Sequence, residues 1–439
     1  MAEGSGARRA TAFASLLLMA LVLSACTTVL VRKGVPEDKI DEAAPYGIEG
    51  VTIRAWGDNV GEDRREAIVK AAIARARLAR ATDIAEGRPI ADVSIAFSGG
   101  GPDGAFGAGL LRGWTDKGDR PEFSTVTGIS TGAIVGLFAF LGPDYDDELE
   151  AIYTSYTTDQ LLTPAIFAAL LGGTAVTDTS GYRRLIESYV DDAVVAQLAE
   201  QSARGRTLLI GTTNLDASRP VVWNITGIAA SGSPDAKRLI QDVIQASSAI
   251  PAAFPPVLIP VVTPDGTRYD EMHVDGGATQ QVMLLPPELS LREVDRALGA
   301  RVDRTVYVVM NNKLKKPYEI VRPRVLSIAG TAASSLLGGA GTGDIYKIYA
   351  VAQRDGIKLK VTWIPRDFDL EPEEAFDPVY MRALYDLGYE RGKAGDLWSP
   401  VPPDFAPGLE GAINSVEAGS RSASARARAS ATSPGTPGG

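Results

Sequence analysis

One cysteine and one histidine are all that this chain of 439 residues contains. A single thiol excludes any intramolecular disulfide, and the two residues together cannot make the Cys/His cluster that a zinc site needs. No metal and no cofactor is expected. The chain also lacks a basic excess: 44 Lys and Arg face 54 Asp and Glu, a formal charge of −10. That balance excludes the cationic footprint of a general nucleic-acid binder. An apolar share of 45% and a charged share of 22% are ordinary for a globular protein. The length allows one large α/β domain with extensions, or two domains. The scarcity of histidine matters most for chemistry, because His273 is the only imidazole on offer as a base.

The lone cysteine is not read as a core residue. Arg8 and Arg9 precede an apolar stretch from Ala10 to Ala25, which ends Leu23-Ser24-Ala25-Cys26. A basic start, a short apolar run and small residues before the cysteine resemble a bacterial lipoprotein signal over residues 1–25. On that reading Cys26 is lipidated and becomes the membrane partner. Thr27 follows in place of an acidic retention residue, which points to the outer membrane of the cell envelope. Residues 26–92 are expected to form a tether and a helical extension. The polar connector from Thr27 to about Gly50 holds Pro36 and Pro45. The helix from Glu62 to Arg80 carries arginines read as a solvated face rather than a lipid-facing one. Residues 93–289 read as the catalytic domain, 290–410 as its completion, and 411–439 as a disordered tail rich in Ser, Ala, Arg, Gly and Pro.

Gly128-Ile129-Ser130-Thr131-Gly132 carries the strongest chemical signal. The β-branched run Phe123–Thr127 before it reads as a strand, and the apolar run Ala133–Leu141 after it as a helix. A serine between glycines at a strand-to-helix turn is how a nucleophile elbow exposes its hydroxyl. The glycines permit the strained turn, and the helix N-terminus aims amide N–H groups at developing negative charge. Other strands are expected at Val93–Phe97, Thr207–Gly211 and Thr305–Val309, with a closing helix at about Asp377–Gly395. That alternation reads as a layered α/β fold.

Directly after the Val93–Phe97 strand comes Ser98-Gly99-Gly100-Gly101-Pro102-Asp103-Gly104-Ala105-Phe106-Gly107-Ala108-Gly109. It contains G-x-G-x-x-G, a weak dinucleotide signal, since any anion suits a glycine-rich turn before a helix. No acidic residue closes a second strand about twenty residues on. With a serine elbow downstream, Gly99–Gly101 read better as an oxyanion hole, whose individual donors are worth about 3–4 kcal/mol. The base lies in Met272-His273-Val274-Asp275-Gly276-Gly277. A triad would use His273 with a separate acid behind it; an α/β-hydrolase places its histidine after the acid, and no histidine follows Asp275. His273 and Asp275 sit two apart, so on a strand they project side by side rather than in line. A Ser130–Asp275 dyad is favoured, with His273 structural.

A glycine-rich loop, Gly-x-Ser-x-Gly and Asp-Gly-Gly, in this order and spacing, resemble the patatin-like phospholipases over about residues 93–289. Thr212–Asp216 and Ala246–Pro256 fit as well. The resemblance implies a three-layer α/β/α sandwich with a central, mostly parallel sheet. It implies Ser130 as nucleophile, Asp275 as general base, Gly99, Gly100 and Gly101 as the oxyanion loop, and Gly104, Gly128, Gly132, Gly276 and Gly277 as motif glycines. The activity it implies is metal-free hydrolysis of lipid acyl esters, phospholipase or lysophospholipase in type. Alternatives are an acyltransferase and a non-catalytic, lipid-binding envelope lipoprotein. One departure is Asp103, where many members carry a basic residue. Leu161–Leu171 and Ile328–Gly343 are candidate walls of an acyl slot or a lid, with ordinary buried helices the simpler reading.

Overall fold

The computed structural model describes residues 32–405, apart from 49, 51–52, 166–174, 176, 285, 287, 315–319 and 404. The expected signal over residues 1–25, Cys26, the tail 411–439 and most of the run 161–171 lie outside the described residues. Contacts group the chain into Met1–Pro400 and Val401–Gly439, and all elements named below belong to the first unit.

A ten-stranded sheet organises that unit. Its first strands are β1 (Ala44–Pro45), β2 (Arg54–Trp56), β3 (Ile90–Phe97) and β4 (Thr125–Ile129). A separate pair, β5 (Thr163–Pro164) and β6 (Thr177–Asp178), comes next. The sheet then continues with β7 (Thr207–Asn214), β8 (Arg219–Asn224), β9 (Val257–Val262), β10 (Arg268–Asp275), β11 (Val302–Met310) and β12 (Lys358–Trp363). The centre, β7-β4-β3-β11-β12, is parallel throughout, which requires crossover connections. Strands β8, β9 and β10 extend it antiparallel.

Helices cover both faces: α1 (Glu62–Ala79), α2 (Gly104–Lys117), α3 (Thr131–Leu141), α4 (Ala236–Ser247), α5 (Leu291–Leu298), α6 (Val325–Asp355) and α7 (Pro378–Ala394). Helices α2, α3, α4 and α7 pack over one core with Ile95, Phe97, Val126 and Ile210. On the other face α6 packs over Ala96, Val306 and Val308, while α1 and α5 cover the starts of the strands. The result is the expected three-layer α/β/α sandwich. Helices α2 and α7 touch backbone to backbone: a Cβ on Gly109 would lie 1.9 Å from the Tyr385 carbonyl oxygen, and one on Gly388 2.2 Å from that of Phe106. Small residues at four-residue spacing on both helices are what permits this approach.

Three expectations change. The strand expected from Phe123 begins at Thr125, with Ser124 already bonded to both neighbouring strands, its N–H donating to the Val93 carbonyl at 2.7 Å and its carbonyl accepting the Thr207 N–H at 2.9 Å. The connector is not a loose tether from residue 32 onward. Ala44 and Pro45 pair with Val262 and Val261 on β9, Ala43 and Ile48 are buried, and Arg32 is ion-paired with Asp216. Apolar residues within this polar stretch close the sheet edge, where proline is tolerated. Last, the 328–343 stretch belongs to α6 but is not a buried helix: Ile328 is 54% and Leu336 75% exposed. Among the described residues no helix is long and apolar enough to cross a membrane. Leu161 and Leu162, in contrast, are core residues.

Candidate active site

Strand β7 brings the candidate residues together. Along one edge it pairs with β4 as far as Ile129 opposite Gly211. From Thr212 the same edge pairs with β10, with Asp275 opposite Thr212, while β8 occupies the other edge. Strands β4 and β10 therefore meet end to end on neighbouring residues of β7. Ser130, one residue beyond β4, faces Asp275 at the end of β10.

The turn at Ser130 is strained, with φ 56° and ψ −127°. Conformations of this kind cost about 1–3 kcal/mol and persist only where surroundings over-determine them. Here the Ser130 N–H donates to Ser247 Oγ at 2.9 Å, and the Ser247 hydroxyl donates to the Gly211 carbonyl at 2.7 Å. Steric demand is as strict: a Cβ on Gly132 would stand 2.4 Å from the Phe97 carbonyl oxygen, and one on Gly128 2.1 Å from that of Gly132.

The Ser130 hydroxyl donates to Asp275 Oδ2 at 2.7 Å. Asp275 Oδ1 accepts the Gly277 N–H, also at 2.7 Å, and the Asp275 N–H donates to the Ala249 carbonyl at 2.9 Å. Both side chains are buried, each 6% exposed. Burial pushes the Asp275 carboxyl up to about 6, against the lowering effect of the Ser130 and Gly277 hydrogen bonds. No cation contributes to the balance.

The glycine loop abuts this pair. A Cβ on Gly99 would meet Ser130 Cβ at 3.1 Å, and one on Gly100 the Asn311 carbonyl oxygen at 1.9 Å. Gly101 has φ +60°. The three amides are not equivalent, and the expectation for Gly99 is corrected. Its N–H donates to the Gln281 carbonyl at 3.1 Å and is spent within the fold. The amides of Gly100 and Gly101 have no acceptor among the described residues. Gly104 opens α2 against Thr131 and Tyr153, with its would-be Cβ 2.2 Å from Thr131 Oγ1. Gly276 passes the Gly211 carbonyl, and Gly277 supplies the amide on Asp275.

His273 is committed elsewhere. Trp223 Nε1–H donates to Thr212 Oγ1 at 2.8 Å, leaving the Thr212 hydroxyl to donate to His273 Nδ1 at 2.9 Å. His273 Nε2–H then donates to Glu271 Oε2 at 3.0 Å. Burial alone would raise Glu271, but the Arg54 charge and the His273 hydrogen bond hold it near 2. Both ring nitrogens of the only histidine are thus occupied within a buried network. Asp103, the unusual acid of the loop, accepts the Tyr380 hydroxyl at 2.6 Å.

Several residues of the site carried no role in the sequence. Ser247 lies in the Ala246–Pro256 block, whose resemblance alone did not specify its hydrogen bond. Gln281, which bonds the Gly277 carbonyl at 3.0 Å, and Asn311, which backs Gly100, follow the motif and β11 respectively as isolated polar residues. Tyr182 is buried beside Ser248 and feels the charge of Asp275, and burial raises its phenol.

Residues 95–286 match the family model of the patatin-like phospholipases. Among solved structures, VipD from Legionella pneumophila is similar at 13% identity and TM-score 0.35, covering 70% of this chain and 67% of its own. Human GIVD cytosolic phospholipase A2 is similar at 12% identity and TM-score 0.28, over 66% of this chain and 51% of its own. ExoU of Pseudomonas aeruginosa, solved with SpcU, is similar at 13% and 0.25, over 70% and 52%. The chain thus spans about half the length of the last two. No curated protein matches the chain.

Proposed function

We propose that the protein hydrolyses lipid acyl esters with Ser130 as nucleophile and Asp275 as general base. The observation that carries this reading is the 2.7 Å hydrogen bond from Ser130 Oγ to a buried carboxylate. Asp275 takes the hydroxyl proton as Oγ bonds to the ester carbonyl carbon, and the C–O bond to the leaving alcohol breaks with return of that proton. Water then attacks the acyl-enzyme, giving its proton to Asp275 and releasing the fatty acid. The raised Asp275 pKa makes it a stronger base than an ordinary carboxylate while leaving it mostly ionised at pH 7. The amides of Gly100 and Gly101 are the oxyanion donors in this scheme.

A lipid substrate is supported by the helix beside the site. Residues 325–343 of α6 carry no charged side chain and expose Ile328, Leu336 and Leu337. Asp344, the next residue, accepts the Gln281 N–H at 2.8 Å, which ties this apolar stretch to the loop behind the dyad. Attachment through a lipidated Cys26, with an outer-membrane location, fits the same reading. Asp103 adds negative charge to the glycine loop and disfavours an anionic head group there. Ester hydrolysis by the purified protein tests the mechanism: Ser130→Ala lowers kcat/KM by at least about 10⁴-fold, and a full-rate variant ends it. Analysis of products from phospholipids, lysolipids and neutral esters, with an alcohol acceptor present, separates hydrolysis from acyl transfer.

A further inference from the structure

A cavity of about 280 Å³ lies on the α1/α5 face, under the starts of the central strands. Helix α1 lines it with Ile68, Ala72 and Ala76, and α5 with Val294 and Leu298. Each set falls on one face of its helix at four-residue spacing. Leu209 and Val306 form the floor. Thr125, at its edge, opens β4, whereas Ser130 follows the end of that strand roughly 16 Å further on at about 3.3 Å per residue. The cavity is therefore distinct from the dyad.

One guanidinium group on its wall, that of Arg75, has capacity to spare. Arg304, also on the wall, is already matched: its terminal nitrogens bind Asp92 and Asp295, and its Nε is buried away from the cavity. Arg75 lines the cavity without a hydrogen-bond or ion-pair partner among the described residues, and burial alone depresses its pKa. Arg206, by comparison, is occupied by the Phe123 and Phe140 carbonyls. An unmatched cation beside apolar walls is costly unless an anion arrives with apolar surface attached. The cavity holds about nine water-sized groups at ~30 Å³ each, and it stands near the lower end of ligand-site volumes.

We propose that this cavity binds a single-chain amphiphile with an anionic head, carboxylate or phosphate, its chain between α1, α5 and the sheet and its head on Arg75. The site does not depend on the catalytic assignment. Titration calorimetry on the full-length protein carrying Ser130→Ala, so that nothing turns over, tests it with decanoate, decyl phosphate and decanol. Both anions, or one of them, bind at least tenfold more tightly than decanol, and the tighter one identifies the head. Arg75→Gln weakens the anions about tenfold and leaves decanol unchanged, Arg75→Lys restores them, and Ala72→Phe, filling the cavity, removes binding of all three. Circular dichroism confirms that each variant is folded. The proposal is overturned if neither anion binds, if decanol binds as well as both, or if Ala72→Phe, folded, leaves binding intact.

Discussion

Asp275→Asn should make the enzyme nearly inactive and, above pH 6, more stable. Burial lifts this carboxyl from 3.8 to about 6, and two units at 1.36 kcal/mol each amount to about 3 kcal/mol. The direction follows from proton counting. Below pH 3.8 the group is protonated in both the folded and the unfolded chain and contributes no difference. Between 3.8 and 6 the folded chain holds a proton that the unfolded chain has lost, so stability falls as pH rises. Above 6 the whole penalty of a buried charge applies to the wild type and is absent from the asparagine variant. A constant offset of about 1 kcal/mol opposes this, since one amide cannot accept from both Ser130 Oγ and the Gly277 N–H. Urea unfolding at pH 4, 6 and 8 reads the effect as a difference between variant and wild type that grows by about 3 kcal/mol across the range. Wild-type kcat/KM on a short, soluble ester should rise through an apparent pKa near 6 over the same interval. A stability difference that does not change with pH, or an Asp275→Asn enzyme with wild-type turnover, would refute the reasoning.

His273→Ala should lower stability by about 2–4 kcal/mol, because Glu271 and Thr212 lose a partner inside the core, while kcat/KM on a soluble ester stays within about tenfold. A kinetic loss equal to that of Asp275→Ala would revive a histidine base. Gly100→Ala places a methyl where the Asn311 carbonyl oxygen lies 1.9 Å away, so the loop must shift. The expected loss in kcat is about 10²-fold or more with the fold intact by circular dichroism, and an unchanged rate removes this loop from the mechanism. Leu336→Asp, at a side chain 75% exposed, should weaken binding to neutral-lipid vesicles about tenfold and leave hydrolysis of a soluble ester alone. Equal loss on both substrates would mean that α6 is structural only.

The parts legible in the sequence were those with a local physical signature. The elbow announced itself through a β-branched run, two glycines and an apolar helix, and the central strands through their continuous apolar stretches. What stayed hidden depends on pairing between distant segments. Nothing local in Thr207–Asn214 indicates that β4 and β10 share one of its edges, although that arrangement makes Ser130 and Asp275 neighbours. The amide of Gly99 looked like its two neighbours until Gln281, far along the chain, was found to accept from it. Composition misled at residues 32–48, where a few apolar side chains in a polar stretch suffice to join the sheet. It misled again at 328–343, where alanine, leucine and glycine suggested burial for a helix that stands exposed.

The role of the only histidine follows from the same pairing. Glu271, His273 and Asp275 alternate with residues of the opposite face, so all three project from one side of β10. The first two are consumed by a chain of hydrogen bonds running from Arg54 through Glu271, His273 and Thr212 to Trp223. That chain crosses from β2 through β10 and β7 to β8, and both nitrogens of His273 are engaged in it. Its effect is to fix the register of β10 against β7, and register decides which residue lies opposite Thr212. A slip of one residue would turn Asp275 to the other face of the sheet and leave the Ser130 hydroxyl without its carboxylate partner. The imidazole that would ordinarily be sought as a proton acceptor therefore acts as a fastener two residues away, and in the mechanism we propose a buried carboxylate, made more basic by the burial that costs stability, takes its place.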